Sequence, residues 1–144
     1  MITEKRKILF VCVQNSFRSQ IAEAIINKKY GGRFVAESAG LNIGEISPLA
    51  IRVMNEYGID ISNNQVDSVF DFYKEGRFYS YVITVCSREA EKECPIFPGI
   101  RKRLNWELEN PEKFTGTEEE KYQKAIELRD EIERRIDEFI SSIG

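Results

Sequence analysis

The chain has 144 residues, 42% of them hydrophobic, which is enough to bury the core of a domain without a structural metal or a disulfide. Its formal net charge of −3 argues against a general nucleic-acid-binding surface and against attachment to an anionic membrane. The chain contains no histidine, which excludes Ser-His and Cys-His catalysis and histidine-ligated metals.

The first part of the chain alternates between strand and helix patterns. Residues 7–12 form a continuous apolar run, which is typical of a strand buried on both faces. Residues 19–30 place apolar side chains at helical spacing, and the pair Gly31-Gly32 predicts the end of that helix. Residues 33–37 are predicted to form a second, short strand.

The rest of the chain continues this alternation. Ser47 is a typical N-cap and precedes a proline, so a helix is predicted over residues 48–58. Residues 80–86 are a strong strand candidate, and residues 100–106 are a weaker one. Residues 117–143 carry apolar side chains on one face and predict a long charged helix.

This order of elements predicts one α/β domain over residues 1–144, with a parallel sheet covered by helices on both sides. No repeat or linker divides the sequence. In such sheets, ligands bind beyond the carboxyl ends of the strands. Cys12 and Cys86 both stand at such ends, so we expect their thiols on the same edge of the molecule. The sequence leaves the distance between them open.

The sequence also predicts the compartment. No apolar stretch approaches the length of a membrane-spanning helix, and the polar residue Gln14 breaks the short apolar run after the basic start. We therefore expect a cytoplasmic monomer that contacts neither nucleic acid nor membrane. Its three cysteines are expected to be reduced at rest and to serve chemistry more than structure.

The segment CVQNSFRS, residues 12–19, has the features of an anion site. A strand-to-helix loop points backbone N–H groups inward, and the helix adds the positive end of its dipole. Arg18 can offer a bidentate fork to a tetrahedral oxyanion, and this positive field would favour the nucleophilic thiolate of Cys12. Ser19 could donate a hydrogen bond to the sulfur, and Asn15 tolerates the left-handed backbone of a tight loop. The chemistry predicted is attack of sulfur on phosphate or a phosphate-like oxyanion.

The ordinary alternative is that Cys12 is only a small buried hydrophobic residue, which is the commoner role of a lone cysteine at a strand end. A cysteine and an arginine at this spacing also occur together by chance. The position at a strand-to-helix junction, beside Asn15 and Ser19, favours the functional interpretation because reactive thiolates are favoured there.

The same residues resemble a known family. FVCVQNSFRSQIAEA, starting at Phe10, resembles the active-site signature of low-molecular-weight protein tyrosine phosphatases, and more closely that of the thioredoxin-coupled arsenate reductases that share their fold. The motifs ESAG, ISPLAIRVMNEYGIDIS, ITVCSREAEKECPIFPG and NWELENP resemble further segments of that family, so the resemblance covers nearly the whole chain. It implies a flavodoxin-like three-layer sandwich whose four parallel strands have the order 2-1-3-4.

The resemblance also implies a role for each matching residue. Cys12 would be the nucleophile, and Ser19 would stabilise its thiolate. The oxyanion would be bound by the loop residues Val13, Gln14, Asn15, Ser16, Phe17 and Arg18. Cys86 would displace arsenite and form a disulfide with Cys12, and Cys94 would then attack Cys86. Thioredoxin or a similar dithiol would reduce the resulting surface disulfide.

The two redox cysteines have ordinary alternatives as well. Cys86 could simply be packed at the end of its strand. Cys94 is flanked by charged residues and by Pro95, so we expect it to be exposed. Residues 87–93 are expected to form a mobile loop or a short helix, and such mobility would suit the relay of a disulfide to the surface.

Some reductases of this family bind a potassium ion behind the loop, and no other cofactor is implied. The matching positions are Asn15, Glu23, Ser38 and Asp67, which all offer oxygen donors suited to a hard cation. The ordinary interpretations are a solvated helix face for Glu23, a turn for Ser38 and a helix cap for Asp67.

Three positions depart from the family pattern. Gln14 replaces a loop glycine, which would cost free energy if that position needs a positive φ. Phe17 replaces a second loop cysteine, so no disulfide can form within the loop and an aromatic ring could line the pocket. Asn110 replaces the aspartate that protonates the leaving group, and asparagine cannot transfer a proton. Glu107 and Glu109 are the candidates to substitute for that aspartate.

The leading hypothesis is an arsenate reductase that uses a cysteine thiolate and an intramolecular disulfide relay. The alternative is a phosphatase that hydrolyses phosphomonoesters through a cysteinyl-phosphate intermediate, and a third hypothesis is a non-catalytic oxyanion-binding domain. The missing acid weakens the phosphatase hypothesis more than the reductase hypothesis. Arsenate loses hydroxide or water, whereas phosphotyrosine must lose a phenolate-like group. Cys86 and Cys94 distinguish the three hypotheses, since only the reductase uses them.

Overall fold

The structure, a computed structural model, describes residues 5–143. Its strands are β1 (Arg6–Cys12), β2 (Phe34–Gly40), β3 (Tyr81–Thr84) and β4 (Lys102–Asn105). Its helices are α1 (Arg18–Lys29), α2 (Pro48–Asn55), α3 (Val69–Lys74), α4 (Arg88–Glu91) and α5 (Glu118–Ile143), with a short 3-10 helix at Pro111–Lys113. Within these residues, no helix is both long and apolar enough to cross a membrane.

The four strands form one parallel sheet in the order β2-β1-β3-β4, which confirms the predicted order 2-1-3-4. β1 lies inside the sheet, where Cys12 is the partner of Gly40 in β2 and Val11 is the partner of Thr84 in β3. The carboxyl ends of these three strands therefore meet at one edge, and the loop that follows Cys12 begins there.

Alternate residues of β1 pack on opposite faces of the sheet. Ile8 and Phe10 belong to the core that includes residues of α1, α2 and α5. Leu9 and Val11 belong to a second core with residues of α3. All four side chains are fully buried, which confirms the prediction of a strand buried on both faces. The sheet is thus the middle of three layers.

Several boundaries differ from the predicted ones. β2 continues past Glu37 to Gly40, and β3 ends at Thr84, before Cys86. Helix α3 was not predicted from the sequence at all. It has only 6 residues and leaves Phe70 exposed, and its single buried pair, Val69 and Phe72, is too short a pattern to indicate a helix. The Oγ of Ser68 accepts a hydrogen bond from Phe70 N at 3.2 Å and so caps this helix.

Helix α5 begins at Glu118 because Thr117 and Glu120 form a reciprocal cap. The backbone N of Glu120 donates to Thr117 Oγ1 at 3.1 Å, and the backbone N of Thr117 donates to Glu120 Oε1 at 3.2 Å. The predicted apolar face of this helix, including Ile132 and Ile136, is buried. The long charged helix expected at this end of the chain is therefore present.

Candidate active site

Cys12 ends β1 and lines a cleft at the carboxyl edge of the sheet, although the residue is only 1% exposed. Its Sγ accepts a hydrogen bond from Asn15 N at 3.1 Å and lies 2.9 Å from Ser19 Oγ. Donors that point at a sulfur stabilise its thiolate more than its thiol. The loop thus surrounds the sulfur as an anion site would.

The side chain of Asn15 determines which way the Ser19 hydroxyl donates. The Oδ1 of Asn15 accepts from the backbone N of Asp67 at 3.0 Å and from Gln20 Nε2 at 3.1 Å, so its Nδ2 is the donor to Ser19 Oγ at 2.7 Å. Because Ser19 accepts that bond, its own proton is free to point at Cys12. Asn15 has a φ of 57°, the left-handed backbone predicted for it, but its buried side chain does not line the cleft.

Gln14 fits the loop without the positive φ that would have favoured glycine. Asn15 is the non-glycine residue with a positive φ within the described chain. The carbonyl of Gln14 accepts from Gly44 N at 3.0 Å, and a Cβ on Gly44 would lie 3.2 Å from Gln14 Oε1. The long side chain therefore packs over Gly44, which leaves it room.

The segment after β2 anchors the loop through its backbone. The carbonyl groups of Cys12, Val13 and Ser16 accept hydrogen bonds at 2.7–3.1 Å from Leu41, Asn42 and Ser47. Gly40 approaches the loop so closely that a Cβ there would lie 2.8 Å from Asn15 N, a distance that side-chain carbons do not tolerate. A rigid loop of this kind holds its N–H groups in place before an anion arrives.

Arg18 is 6% exposed and lines the same cleft as Cys12. Its Nη1 donates to the carbonyl groups of Val85 at 3.2 Å and Leu108 at 3.3 Å. These bonds fix the guanidinium plane. Its Nε and Nη2 donate to no residue of the described chain, so they remain available for a bidentate contact with an oxyanion.

The cleft has a volume of about 330 Å³. Loop residues Val13, Gln14, Ser16, Phe17 and Arg18 line it, together with residues 45–49 and 110–112. Phe17 is among these lining residues, as the sequence suggested, although it is also part of the buried core. The predicted oxyanion-binding residues lie together here, except that the Asn15 side chain supports the loop from behind.

The position of the missing general acid is also at this cleft. Asn110 lines it and caps the short 3-10 helix, with its Oδ1 accepting from Glu112 N at 3.0 Å. The proposed substitutes Glu107 and Glu109 are exposed and do not line the cleft. The carboxylates that do line it are those of Glu45 and Glu112. No sequence pattern pointed to either residue, because Glu45 lies in a loop and Glu112 in a three-residue 3-10 helix.

Cys86 lies just beyond β3 and is fully buried. Burial raises the pKa of its thiol to about 11, the charge of Cys12 adds to this rise, and the Arg18 guanidinium opposes it. The preceding residue, Val85, places Cys86 beside the cleft: its backbone N donates to Val11 O at 2.8 Å, and its carbonyl accepts from Arg18 Nη1 at 3.2 Å. This agrees with the expectation that the two strand ends bring Cys12 and Cys86 to the same edge.

Cys94 was expected to be exposed, and this expectation is wrong: the residue is 6% exposed. It lies in the same core as Leu9, Val11 and Phe97. Burial raises the pKa of its thiol to about 11, with the Arg103 charge opposing the rise. Charged neighbours in the sequence were misleading because the chain turns at the end of α4, so Cys94 points inward while its neighbours face solvent.

The four predicted ion ligands are only partly brought together. Glu23, Ser38 and Asp67 line one pocket, and the Oγ of Ser38 donates to Glu23 Oε1 at 3.2 Å. Burial raises the pKa of Glu23 to about 7, and the charges of Glu37 and Asp67 add to this rise. Glu23 is therefore not the solvated helix residue of the ordinary interpretation.

The remaining ordinary interpretations of these ligands also change. Ser38 lies in β2 instead of a turn, and Ser68, next to Asp67, is the helix cap. Asn15 is connected to this pocket through the backbone N of Asp67. Residues 5–143 contain no group of three or more His, Cys, Asp and Glu side chains arranged to hold a metal ion.

The strand order is 2-1-3-4, and the first strand leads into an anion-binding loop that carries a cysteine and an arginine. This combination defines the class of low molecular weight phosphatase-like proteins. The profile of the low molecular weight phosphotyrosine protein phosphatases matches residues 7–144, and the chain belongs to that family. The resemblance noted in the sequence is thereby confirmed.

Named relatives within this family are arsenate reductases. One from Bacillus subtilis is 38% identical over 136 residues, which cover 94% of this chain and 96% of the relative. A solved arsenate reductase in the phosphate binding state superposes with a TM-score of 0.76 at 28% identity, covering 96% of this chain and 99% of that one. A thioredoxin-dependent arsenate reductase from Corynebacterium glutamicum gives a TM-score of 0.73 at 32% identity, covering 99% of this chain and 64% of that one.

Proposed function

We propose that this chain is an arsenate reductase that works through Cys12, Cys86 and Cys94. The observation that carries the proposal is the position of the buried Cys86 beside the cleft, because the preceding residue, Val85, bonds to both Val11 and Arg18 through its backbone. A phosphatase of this family needs the anion loop but no second thiol beside it. The arsenate reductases that match nearly the whole chain support the same conclusion.

In the first step, arsenate binds in the cleft with its oxygens against the loop N–H groups and the free donors of Arg18. The Cys12 thiolate, held by Asn15 N and the Ser19 hydroxyl, attacks arsenic. A sulfur–arsenic bond forms, and one arsenate oxygen leaves as water after taking up protons. Such a leaving group needs less acid assistance than a phenolate, which suits a cleft with Asn110 in the acid position.

In the second step, the Cys86 thiolate attacks Cys12 Sγ. A Cys12–Cys86 disulfide forms, the sulfur–arsenic bond breaks, and its electron pair reduces arsenic from the +5 to the +3 state, so that arsenite leaves. The charge of Cys12 contributes to the raised pKa of Cys86, so Cys86 is least reactive while Cys12 is still a free thiolate.

In the third step, the Cys94 thiolate attacks Cys86 Sγ. A Cys86–Cys94 disulfide forms, and Cys12 leaves as a thiolate ready for another arsenate. A dithiol protein of the thioredoxin type then reduces the new disulfide. The thioredoxin-dependent relative from Corynebacterium glutamicum supports this choice of electron donor.

The family resemblance implies a potassium ion at the oxygen donors of Glu23, Ser38 and Asp67, which line one pocket. A cation there would offset the carboxylate repulsion and the burial that together raise the pKa of Glu23. Its effect would reach the loop through the Asp67 N–H, which holds the Asn15 side chain. The ion would therefore support the loop, and it takes part in none of the three steps.

Mass spectrometry of the thiols after a single turnover tests the proposal. Reduced protein is mixed with arsenate in the absence of any dithiol, and free thiols are then alkylated. We expect a Cys86–Cys94 disulfide in the native protein and a Cys12–Cys86 disulfide in Cys94→Ser. Cys86→Ser should form no arsenite, and arsenite production by this variant would overturn the relay.

A phosphomonoesterase is the second candidate, and the family name and the cleft walls favour it. Phe17, Ile46 and Leu49 line the cleft and would contact an organic group on the phosphate. Hydrolysis of an aryl phosphate should be abolished in Cys12→Ser and retained in Cys86→Ser. A native protein that hydrolyses no aryl phosphate from acidic to neutral pH would exclude this second activity.

A further inference from the structure

The segment that carries Cys94, residues 87–97, rests on the sheet through few apolar contacts. Its helix α4 has no buried residue, and Ile96 is 78% exposed. Cys94 and Phe97 are the side chains of this segment that enter the core. Segments with so few buried apolar groups open locally at a low free energy.

Arg103 of β4 supplies most of the polar contacts that hold this segment. Its Nη2 donates to Glu91 O at 3.2 Å and to Cys94 O at 3.5 Å, and its Nη1 donates to Pro95 O at 3.3 Å. Its Nε also lies 3.5 Å from Glu91 Oε2. One guanidinium therefore binds the segment on both sides of Cys94, with charge-assisted hydrogen bonds.

The neighbouring residue Asn105 ties Cys86 to the same strand. Its Nδ2 donates to Cys86 O at 3.1 Å and to Thr84 Oγ1 at 2.7 Å. Asn105 thus connects the backbone at Cys86 to β4, the strand whose Arg103 binds residues 87–97.

We propose that Arg103 is a positioning residue for the relay. It holds residues 87–97 closed, and the opening of this segment limits the transfer of the disulfide to Cys94. In that transfer, Cys94 Sγ bonds to Cys86 Sγ, and Cys12 leaves with the electron pair of the broken bond. The consequence for the relay rests on the proposed function, whereas the closed segment is a property of the reduced protein alone.

The chemistry of Cys94 explains why opening matters. In the closed segment its thiol is buried and its pKa is raised to about 11, so it is protonated near neutral pH. Opening returns the thiol to water, where a larger fraction is thiolate and can attack. The Arg103 contacts oppose this opening, so they set how often Cys94 becomes reactive.

Alkylation of the reduced full-length protein with iodoacetamide tests the holding role. Arg103→Met should raise the alkylation rate of Cys94 roughly ten- to hundredfold, because several charge-assisted hydrogen bonds are lost. Arg101→Met is the matched control, since Arg101 is exposed and its side chain makes no hydrogen bond to a described residue. Arg103→Lys keeps the charge without the fork and should give an intermediate rate.

Hydrogen exchange separates local opening from general destabilisation. Arg103→Met should speed exchange in peptides covering residues 87–97 and leave the β1 peptide unchanged. An equal increase in β1, or an unchanged alkylation rate of Cys94, would overturn the holding role. Neither measurement needs arsenate or a dithiol, so both test Arg103 even if the chain reduces no arsenate.

Single-turnover kinetics test the consequence for the relay. After arsenate is added, the Cys12–Cys86 disulfide should convert to Cys86–Cys94 faster in Arg103→Met than in the native protein, while the rate of arsenite formation stays the same. Equal conversion rates in both proteins would overturn the rate-limiting role. If neither protein forms arsenite, the proposed function is contradicted. The alkylation rate of Cys94 then decides by itself whether Arg103 holds the segment closed.

Discussion

Asn110 is expected to affect phosphomonoester hydrolysis and arsenate reduction differently. Its Oδ1 accepts from Glu112 N at 3.0 Å, and an aspartate can make the same capping bond. Asn110→Asp should therefore keep the local fold and add a proton donor at the cleft. We expect aryl phosphate hydrolysis to rise by up to about 10²–10⁴-fold at acidic pH, where the new carboxyl is protonated, with little change in arsenate reduction.

The control for this variant is Glu109→Gln, because Glu109 is exposed and lies outside the cleft lining. Its hydrolysis rate should equal that of the native protein. If Asn110→Asp hydrolyses no faster, while Glu45→Gln or Glu112→Gln removes the residual hydrolysis, then a cleft carboxylate already acts as the acid. That result would contradict our interpretation of Asn110 as a missing group.

The junction between β2 and the anion loop depends on the absence of a side chain at Gly40. A Cβ there would lie 2.8 Å from Asn15 N and 2.9 Å from the carbonyl oxygen of Val13, and backbone atoms cannot move away as a side chain can. Gly40→Ala should destabilise the fold by about 1–3 kcal/mol in urea unfolding. It should also weaken phosphate binding measured by calorimetry, because the loop must shift.

Gly32→Ala is the matched control, since a Cβ at Gly32 would meet no atom within 4 Å. This variant should bind phosphate as the native protein does. Native phosphate affinity in Gly40→Ala would show that the loop does not depend on its close packing against β2.

At the level of helices and strands, the sequence predicted those elements that a local pattern of apolar residues determines. The apolar run of β1 and the periodic face of α5 are long signals, and the structure contains both. Helix α3 buries only Val69 and Phe72, so its packing against the sheet and its cap stabilise it without a long apolar pattern in the sequence. Its cap, Ser68, is a polar residue of a kind common in loops, and it could not be recognised without the helix that follows.

At the level of the whole molecule, topology explains which parts of the site were predictable. Cys12 and Cys86 share an edge because parallel strands end on the same side, and this follows from the order of elements. Glu45 reaches the cleft from a loop and Glu112 from a short 3-10 helix, and neither element has a pattern that the sequence reveals. Arg103 holds Cys94 across neighbouring elements, and the inward turn of Cys94 depends on that packing. Contacts of this kind, between separate segments of the chain, leave no pattern in the amino-acid sequence.

The buried carboxylate of Glu23 should make the stability of the molecule depend on pH. Its pKa is raised from 4.5 to about 7 by burial and by the charges of Glu37 and Asp67. Between these two pH values the folded state binds more protons than the unfolded state, so the free energy of unfolding falls as pH rises through that range. Above it, the penalty is constant and on the order of 3 kcal/mol.

Glu23→Gln should remove this penalty, because an amide cannot ionise and its oxygen can still accept from Ser38 Oγ. In sodium buffer, the variant should be more stable than the native protein at mildly alkaline pH and equal to it at acidic pH, as measured by urea unfolding. Glu127→Gln, at an exposed position, should follow the native curve. Potassium should stabilise the native protein more than Glu23→Gln, because a bound ion shifts the equilibrium toward the state that binds it. A stability difference between native and Glu23→Gln that stays constant with pH would instead mean that folding does not raise the pKa of Glu23.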